Sequence, residues 1–227
     1  NLPNLADGSH TLSIIGQDAA GNWQDGASAT VLTFVVDTQS PLATLGQTPD
    51  DPTSATAIDL IVGGEDVVAY RYRLDSGEYG PETPVATHVT ESGLSDGVHH
   101  VFVIGRDAAG NWQSESGPTT VSWTVDTLSP LATATGVPDS PTNSDAATLA
   151  VAGDGVTHYK YSRDSGETYS AQTPVATPIV LENLPDGGHS VWVVGRDEAG
   201  NWQPEAISTK VSWVVDTDSP QVMLGNV

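Results

Sequence analysis

One repeat length constrains this chain more than any other feature. The stretch LADGSHTLSIIGQDAAGNWQ (Leu5 to Gln24) returns as LSDGVHHVFVIGRDAAGNWQ (Leu94 to Gln113) and again as LPDGGHSVWVVGRDEAGNWQ (Leu184 to Gln203). Each copy closes on V-D-T-x-S-P, and the closing prolines Pro41, Pro130 and Pro220 stand 89 and 90 residues apart. Self-similarity at a fixed period means that one structural unit is used repeatedly. The period divides the sequence into the C-terminal part of one unit (1–40, strands E to G), two complete units (41–129 and 130–219) and the first strand of another (220–227). Such a sequence reads as a window on a longer array.

Inside a unit, hydrophobicity alternates with a period of two, the signature of half-buried strands. Val101 and Val103 alternate with Phe102 and Ile104, Val121, Trp123 and Val125 with Ser122 and Thr124, and Tyr70 and Tyr72 with Arg71 and Arg73. Clusters of Gly, Pro, Asp and Ser separate these runs. Between Pro41 and Thr127 the pattern predicts seven strands, A to G. They are a first at ATL, then AIDLIV, VVAYRYRL, a weak D near Pro84–Ala86, HVT, HHVFVIG and TVSWTV. Seven strands in about 90 residues fit an all-β, immunoglobulin-like or fibronectin type III-like sandwich, here in tandem.

Charge narrows the partners. The 227 residues carry 29 Asp and Glu against 7 Lys and Arg, a net charge of −22. It divides as −4, −10 and −8 over 1–40, 41–129 and 130–219, so acidity belongs to the repeat. A field of this sign opposes nucleic acid and anionic lipid. No apolar run is long enough to insert into a membrane within this segment. Without Cys, disulfides, thiolate metal sites and thiol nucleophiles are excluded.

The pattern L-x-D-G-x-H-x-V-x-V-x-G-x-D-x-A-G-N-W, closing on V-D-T-x-S-P, resembles the bacterial Ig-like repeats of large cell-surface adhesins and extracellular proteins. The resemblance covers nearly the whole chain and is most specific at D-x-A-G-N and V-D-T-x-S-P. It implies an extracellular or cell-surface rod, acting as spacer, adhesive stalk or filament component. Its partners would be neighbouring repeats or other copies of the protein. In many such arrays calcium binds between domains.

Strand alternation brings the B–C and F–G loops to the end of a unit where the preceding V-D-T segment arrives. At the first joint this places Asp37 near Glu65, Asp66, Asp107 and Asn111; at the second, Asp126 near Asp154, Asp197 and Asn201. These oxygens suit Ca²⁺, which takes six to eight hard oxygen ligands. Pairing of Arg106 or Arg196 with the linker Asp, around ordinary turns, is the alternative. The histidines of D-G-x-H (His10, His99, His189) read as core residues whose imidazole meets a loop group. The tryptophans of A-G-N-W (Trp23, Trp112, Trp202) read as cover for the end of the unit or packing on its neighbour. Trp123 and Trp213 read as core. Trp192, on the other face of its strand, is a candidate platform for a glycan or surface partner. Every potential catalytic group recurs from copy to copy, as in a scaffold, so no enzyme is expected.

Overall fold

The computed structural model describes residues 5–223. Residues 220–223 form no strand, and the rest of the expected strand at 220–227 lies outside the described residues, as do residues 1–4. Sixteen strands and two single 3-10 turns account for the regular structure described, with no α-helix among the described residues. Two compact units form. One comprises the residues up to Thr48, Ile58–Glu91 and His99–Ser122; the other comprises Pro49–Ala57, Ser92–Val98 and the residues from Trp123 onward.

The first strands, β1 (Gly8–Ile14) and β2 (Thr30–Val36), form an antiparallel two-stranded sheet. A two-stranded sheet cannot bury both faces, and Ile14, Val31, Leu32 and Val35 stand exposed. Next come β3 (Thr44–Gly46), β4 (Ala57–Gly63), β5 (Ala69–Leu74), β6 (Thr83–Pro84), β7 (Val89–Ser92), β8 (Gly97–Arg106) and β9 (Thr119–Val125). They build a three-stranded sheet, β3-β4-β7, and a four-stranded sheet, β6-β5-β8-β9. The pattern repeats in β10 (Thr133–Thr135), β11 (Ala147–Ala152), β12 (His158–Ser162), β13 (Thr173–Pro174), β14 (Ile179–Leu181), β15 (Gly187–Arg196) and β16 (Thr209–Val215). Their sheets run β10-β11-β14 and β13-β12-β15-β16.

Seven antiparallel strands per repeat, three on one sheet and four on the other, make an immunoglobulin-like β-sandwich of the fibronectin type III kind. The weak strand expected as D is only two residues long, and it pairs with β5 (Ala69↔Pro84, Tyr70↔Thr83). It therefore belongs to the four-stranded sheet rather than the three-stranded one.

Alternation produces the core. Along β4, Ile58, Leu60 and Val62 are buried while Ala57, Asp59 and Ile61 are exposed; along β11, Ala147, Leu149 and Val151 are buried and their neighbours are not. In the second unit, Leu149, Ile179, Val191, Val193 and Trp213 pack into one cluster with Tyr159. A buried phenol needs a partner. The Tyr159 hydroxyl donates to the Thr177 carbonyl at 2.7 Å, and Tyr70 repeats the bond to Thr87 at 2.8 Å.

Leu149→Ala is expected to lower unfolding stability by about 2–5 kcal/mol, because it opens a cavity in a fully buried cluster. Val180→Ala, at an exposed position of β14, should change it by no more than about 0.5 kcal/mol. Urea unfolding of both variants measures the contrast; equal losses would show that the interior has been misassigned.

Candidate functional site

The repeated D-x-A-G-N segment forms the turn after β8 and after β15. Asp107 Oδ1 accepts the Gly110 and Asn111 N–H groups at 2.7 and 2.8 Å, and its Oδ2 accepts Asn111 Nδ2 at 2.8 Å. Asp197 does the same with Gly200 and Asn201 at 2.7, 2.8 and 3.0 Å. Both carboxylates are buried, yet each is met by three donors. Burial pushes the Asp107 carboxyl up, but the bonds from Asn111 and the turn N–H groups outweigh it and hold it below the usual carboxylate range. The two aspartates thus order their own turns.

The asparagines reach further. Asn111 Nδ2 also donates to the Asp37 carbonyl at 3.0 Å, and Asn201 Nδ2 to the Asp126 carbonyl at 2.8 Å. The V-D-T segment of one sequence repeat is thereby fastened to the turn of the next. In the second unit the Ser54 N–H donates to the Ala199 carbonyl at 3.0 Å, so the same turn is held twice.

Beside each fastening lies an open acidic cleft. One, of about 330 Å³, is lined by Asp37, Glu65, Asp66 and Asp107 together with Gln39 and the Ser40–Leu42 segment. The other, of about 390 Å³, is lined by Asp126, Asp154 and Asp197 with Gly155 and the Leu128–Leu131 segment. The structure therefore brings the carboxylates at 37, 65, 66 and 107 to one cleft and those at 126, 154 and 197 to another. Asn111 and Asn201 stand behind them, with amide donors turned to the linker carbonyls. Gly64 and Gly153 set the loops that carry Glu65, Asp66 and Asp154. At φ of 131° and 151°, a Cβ there would lie 2.3 Å from the Leu42 carbonyl and 2.4 Å from the Leu131 carbonyl. Arg106 does not meet the linker Asp; it pairs with Glu82 at 2.9 Å.

The second repeated motif closes on the same linker. Asp96 Oδ1 accepts the Thr127 N–H and hydroxyl at 2.9 and 2.8 Å, Asp186 accepts those of Thr217 at 3.0 and 2.8 Å, and Asp7 those of Thr38 at 3.1 and 2.8 Å. The histidines of this motif differ in burial: His99 is buried, whereas His10 and His189 are only partly so. His10 and His189 each approach a carbonyl four residues earlier, Ala6 and Pro185, at 2.7 Å. His99, buried, meets Asp75 Oδ2 at 2.9 Å, while the other Asp75 oxygen accepts the His100 N–H at 2.7 Å. In the third copy alone, Asp218 joins Asp186 and Asp216, and oxygens of all three lie within 4.8 Å of one another. Three exposed carboxylates so close could hold a metal ion.

A repeated glutamine escapes the sequence reading. Gln113, the residue after the A-G-N-W tryptophan, is 5% exposed; its Oε1 accepts the Ala43 and Gly105 N–H groups at 3.0 and 3.2 Å. Its Nε2 donates to the Gly117 carbonyl at 2.9 Å. Gln203 repeats the arrangement with Ala132, Gly195 and Ile207 at 2.9, 3.2 and 2.7 Å. The visible signal was the recurrence of W-Q in every copy. The tryptophans before these glutamines fold back along the strand through the bridges Arg106↔Trp112 and Arg196↔Trp202. There Arg71 lies 4.8 Å from the centroid of Trp112 and Lys160 4.5 Å from that of Trp202. They cover their own sheet rather than the end of the unit. Trp123 and Trp213 are core residues, 1% and 2% exposed.

No protein-family model matches the chain, and no curated protein matches it. Several solved structures are similar. Fibronectin(III)-like modules of Clostridium thermocellum CbhA match at 12% identity and a TM-score of 0.45, over 82% of this chain and 100% of that one. A chain from the structural study of host cell surface retention of a 1.5-MDa bacterial ice-binding adhesin matches at 21% identity and 0.43, over 94% and 76%. The central fibronectin-III array of RIM-binding protein matches at 14% identity and 0.28, over 79% and 62%.

The turn aspartates make stability depend on acid. Side-chain bonds from Ser162 and Thr168 hold the Asp164 carboxyl down at about 2, and Asp107 and Asp18 are lowered by their turns. A depressed folded-state pKa contributes stability that is complete above the unfolded value near 3.8 and is lost as pH falls towards about 2. Thermal melts recorded from about pH 5 down to about pH 2 should show the melting temperature falling through that window, with a shallower fall in Asp164→Asn. A melting temperature that stays level there would contradict these bonds.

Proposed function

We propose that this chain is a structural segment of an extracellular or bacterial cell-surface protein, a stiff spacer or adhesive stalk made of tandem Ig-like repeats. The observation that carries this reading is the repeated fastening of Asn111 to the Asp37 carbonyl and of Asn201 to the Asp126 carbonyl. A chain of independently mobile beads has no use for an amide that orders its own turn and also holds the preceding linker. Proline after each V-D-T-x-S adds to the effect by fixing φ and restricting the residue before it. The partners in this reading are the neighbouring repeats and further copies. A non-catalytic role agrees with the internal use of the repeated Asp, Asn and Gln groups as hydrogen-bond partners within the fold.

Calcium at the clefts is part of the same proposal. Asp37, Glu65 and Asp66 in one, and Asp126 and Asp154 in the other, present the hard oxygens this ion prefers. Asp107, Asn111, Asp197 and Asn201 would fix the cleft wall, since their polar groups are engaged by the turn. A bound cation would cancel the mutual repulsion of the carboxylates and stiffen the joint.

Two measurements test the reading. Added Ca²⁺ should raise the melting temperature, EDTA should reverse the rise, and Asp37→Asn with Glu65→Gln and Asp126→Asn with Asp154→Asn should abolish it. An unchanged melt would remove calcium from the proposal. Independently, small-angle scattering should show an extended particle that becomes more flexible in Asn111→Ala with Asn201→Ala, each lost bond costing about 0.5–1.5 kcal/mol. A compact particle, or no change in that variant, would refute the stiff spacer.

A further inference from the structure

The cations of this chain are placed against expectation. With 29 carboxylates available to 7 Lys and Arg, ion pairing should be nearly automatic. Yet among the described residues Arg106–Glu82 is the only pair between a Lys or Arg and a carboxylate. Instead, six of the seven basic side chains, all but Arg163, stand on strands of the four-stranded sheets. Arg71 and Arg73 stand on β5 and Arg106 on β8; Lys160 stands on β12, Arg196 on β15 and Lys210 on β16. None of the strands in either sheet contains Asp or Glu.

On β5 and β12 the cations alternate with the buried Tyr70 and Tyr159, so they occupy the outward face. Aromatic rings accompany them there. Arg73 lies 3.6 Å from the centroid of Phe102 and 5.6 Å from that of Tyr79, beside the Arg71–Trp112 pair at 4.8 Å. In the other unit Lys160 lies 4.5 Å from the centroid of Trp202 and Lys210 4.9 Å from that of Trp192. A ring attracts a cation through its quadrupole but brings no counter-charge. Arg73 also donates to the Asp75 backbone carbonyl, but among the described residues no carboxylate pairs with Arg71, Arg73, Lys160 or Lys210.

We propose that each of these faces binds a carboxylated polysaccharide, a uronic-acid polymer. A guanidinium matches a carboxylate in a two-point contact, and the indole and phenyl rings beside it offer apolar surface to the C–H face of a pyranose. The sheet is open and extended, which accommodates a chain rather than a small ligand. Charge density favours a uronate over nucleic acid. Duplex DNA carries one negative charge per about 1.7 Å and would be repelled by the net −22 of the whole. A uronate carries at most one carboxylate per sugar. At physiological ionic strength fields decay over about 8 Å, so the local basic strip governs contact. The proposal is independent of the joints, because it uses none of their residues.

The test measures binding of fluorescently labelled polygalacturonate to the full chain at physiological ionic strength, about 0.15 M, where the net charge is screened beyond about 8 Å. Saturable binding that weakens with salt is expected, with none to neutral dextran. Replacing Arg71, Arg73, Lys160 and Lys210 by Gln keeps much of each stem and should weaken binding about tenfold or more. If that fourfold variant does not fold, Arg71→Gln with Arg73→Gln and Lys160→Gln with Lys210→Gln, made separately, should each remove about half of the bound polymer. No saturable binding, equal binding of dextran, or binding unchanged in folded variants would overturn the proposal. So would tighter binding of single-stranded oligo-dT than of polygalacturonate at the same ionic strength.

Discussion

The buried carboxamide of Gln113, and of Gln203 after it, is the interaction from which the rest of each repeat is hung. A short first strand cannot satisfy its own backbone. β3 and β10 are three residues each and begin after a proline that fixes the entry of the chain. The glutamine supplies what the missing ladder would have given, taking N–H groups from Ala43 and Gly105 in one repeat and from Ala132 and Gly195 in the other. Leaving such groups unpaired in the interior would cost about 1–3 kcal/mol each. The side chain thus ties the start of a repeat to the strand that precedes its most ordered turn. Once that attachment is fixed, the linker upstream of Pro41 or Pro130 has little choice about where it lies.

Two further hydrogen-bonded groups use that placement. The D-G-x-H aspartate holds the threonine of V-D-T in the same repeat, as with Asp96 and Thr127. The D-x-A-G-N asparagine then holds the carbonyl of the aspartate in that V-D-T segment, as Asn201 does with Asp126. The motifs that recur most faithfully in the sequence are therefore successive links of one hydrogen-bonded path. Each link is a side chain bonded to backbone, and such bonds depend on the conformation of both partners, so losing one loosens the next.

Strand content was largely legible because alternation and turn residues speak for themselves over runs such as AIDLIV and HHVFVIG. The sheet of the two-residue β6 was not, since two residues carry no period and its partner Tyr70 is named only by the closed fold. The convergence of loop carboxylates at two clefts followed from counting strands, but the division of labour among them did not. Whether Asp107 faces a cleft or its own turn depends on two backbone N–H groups that point inward only after Gly110 takes its left-handed conformation. Gln113 stayed hidden because its decisive partner, Ala43, is 70 residues away. The tryptophans after the turn looked like end covers. The bridge to Arg106 or Arg196 that folds them onto the sheet is a single pairing with no sequence period of its own.

The charge of −22 is best understood by where it is absent. Among the described strands only Asp59 on β4 and Glu91 on β7 are acidic, and both lie in a three-stranded sheet. The remaining carboxylates sit in loops, where water solvates them and backbone N–H groups can bond them, as at Asp107 and Asp164. Acidity in this fold is thus a property of turns. Strand faces follow another rule, because a long cationic side chain can lay its stem on an aromatic neighbour and still leave its head in water. An aspartate is too short to do the same. Segregation of sign therefore arises from the geometry of strands and turns, and it leaves basic sheet faces within a chain whose overall charge conceals them.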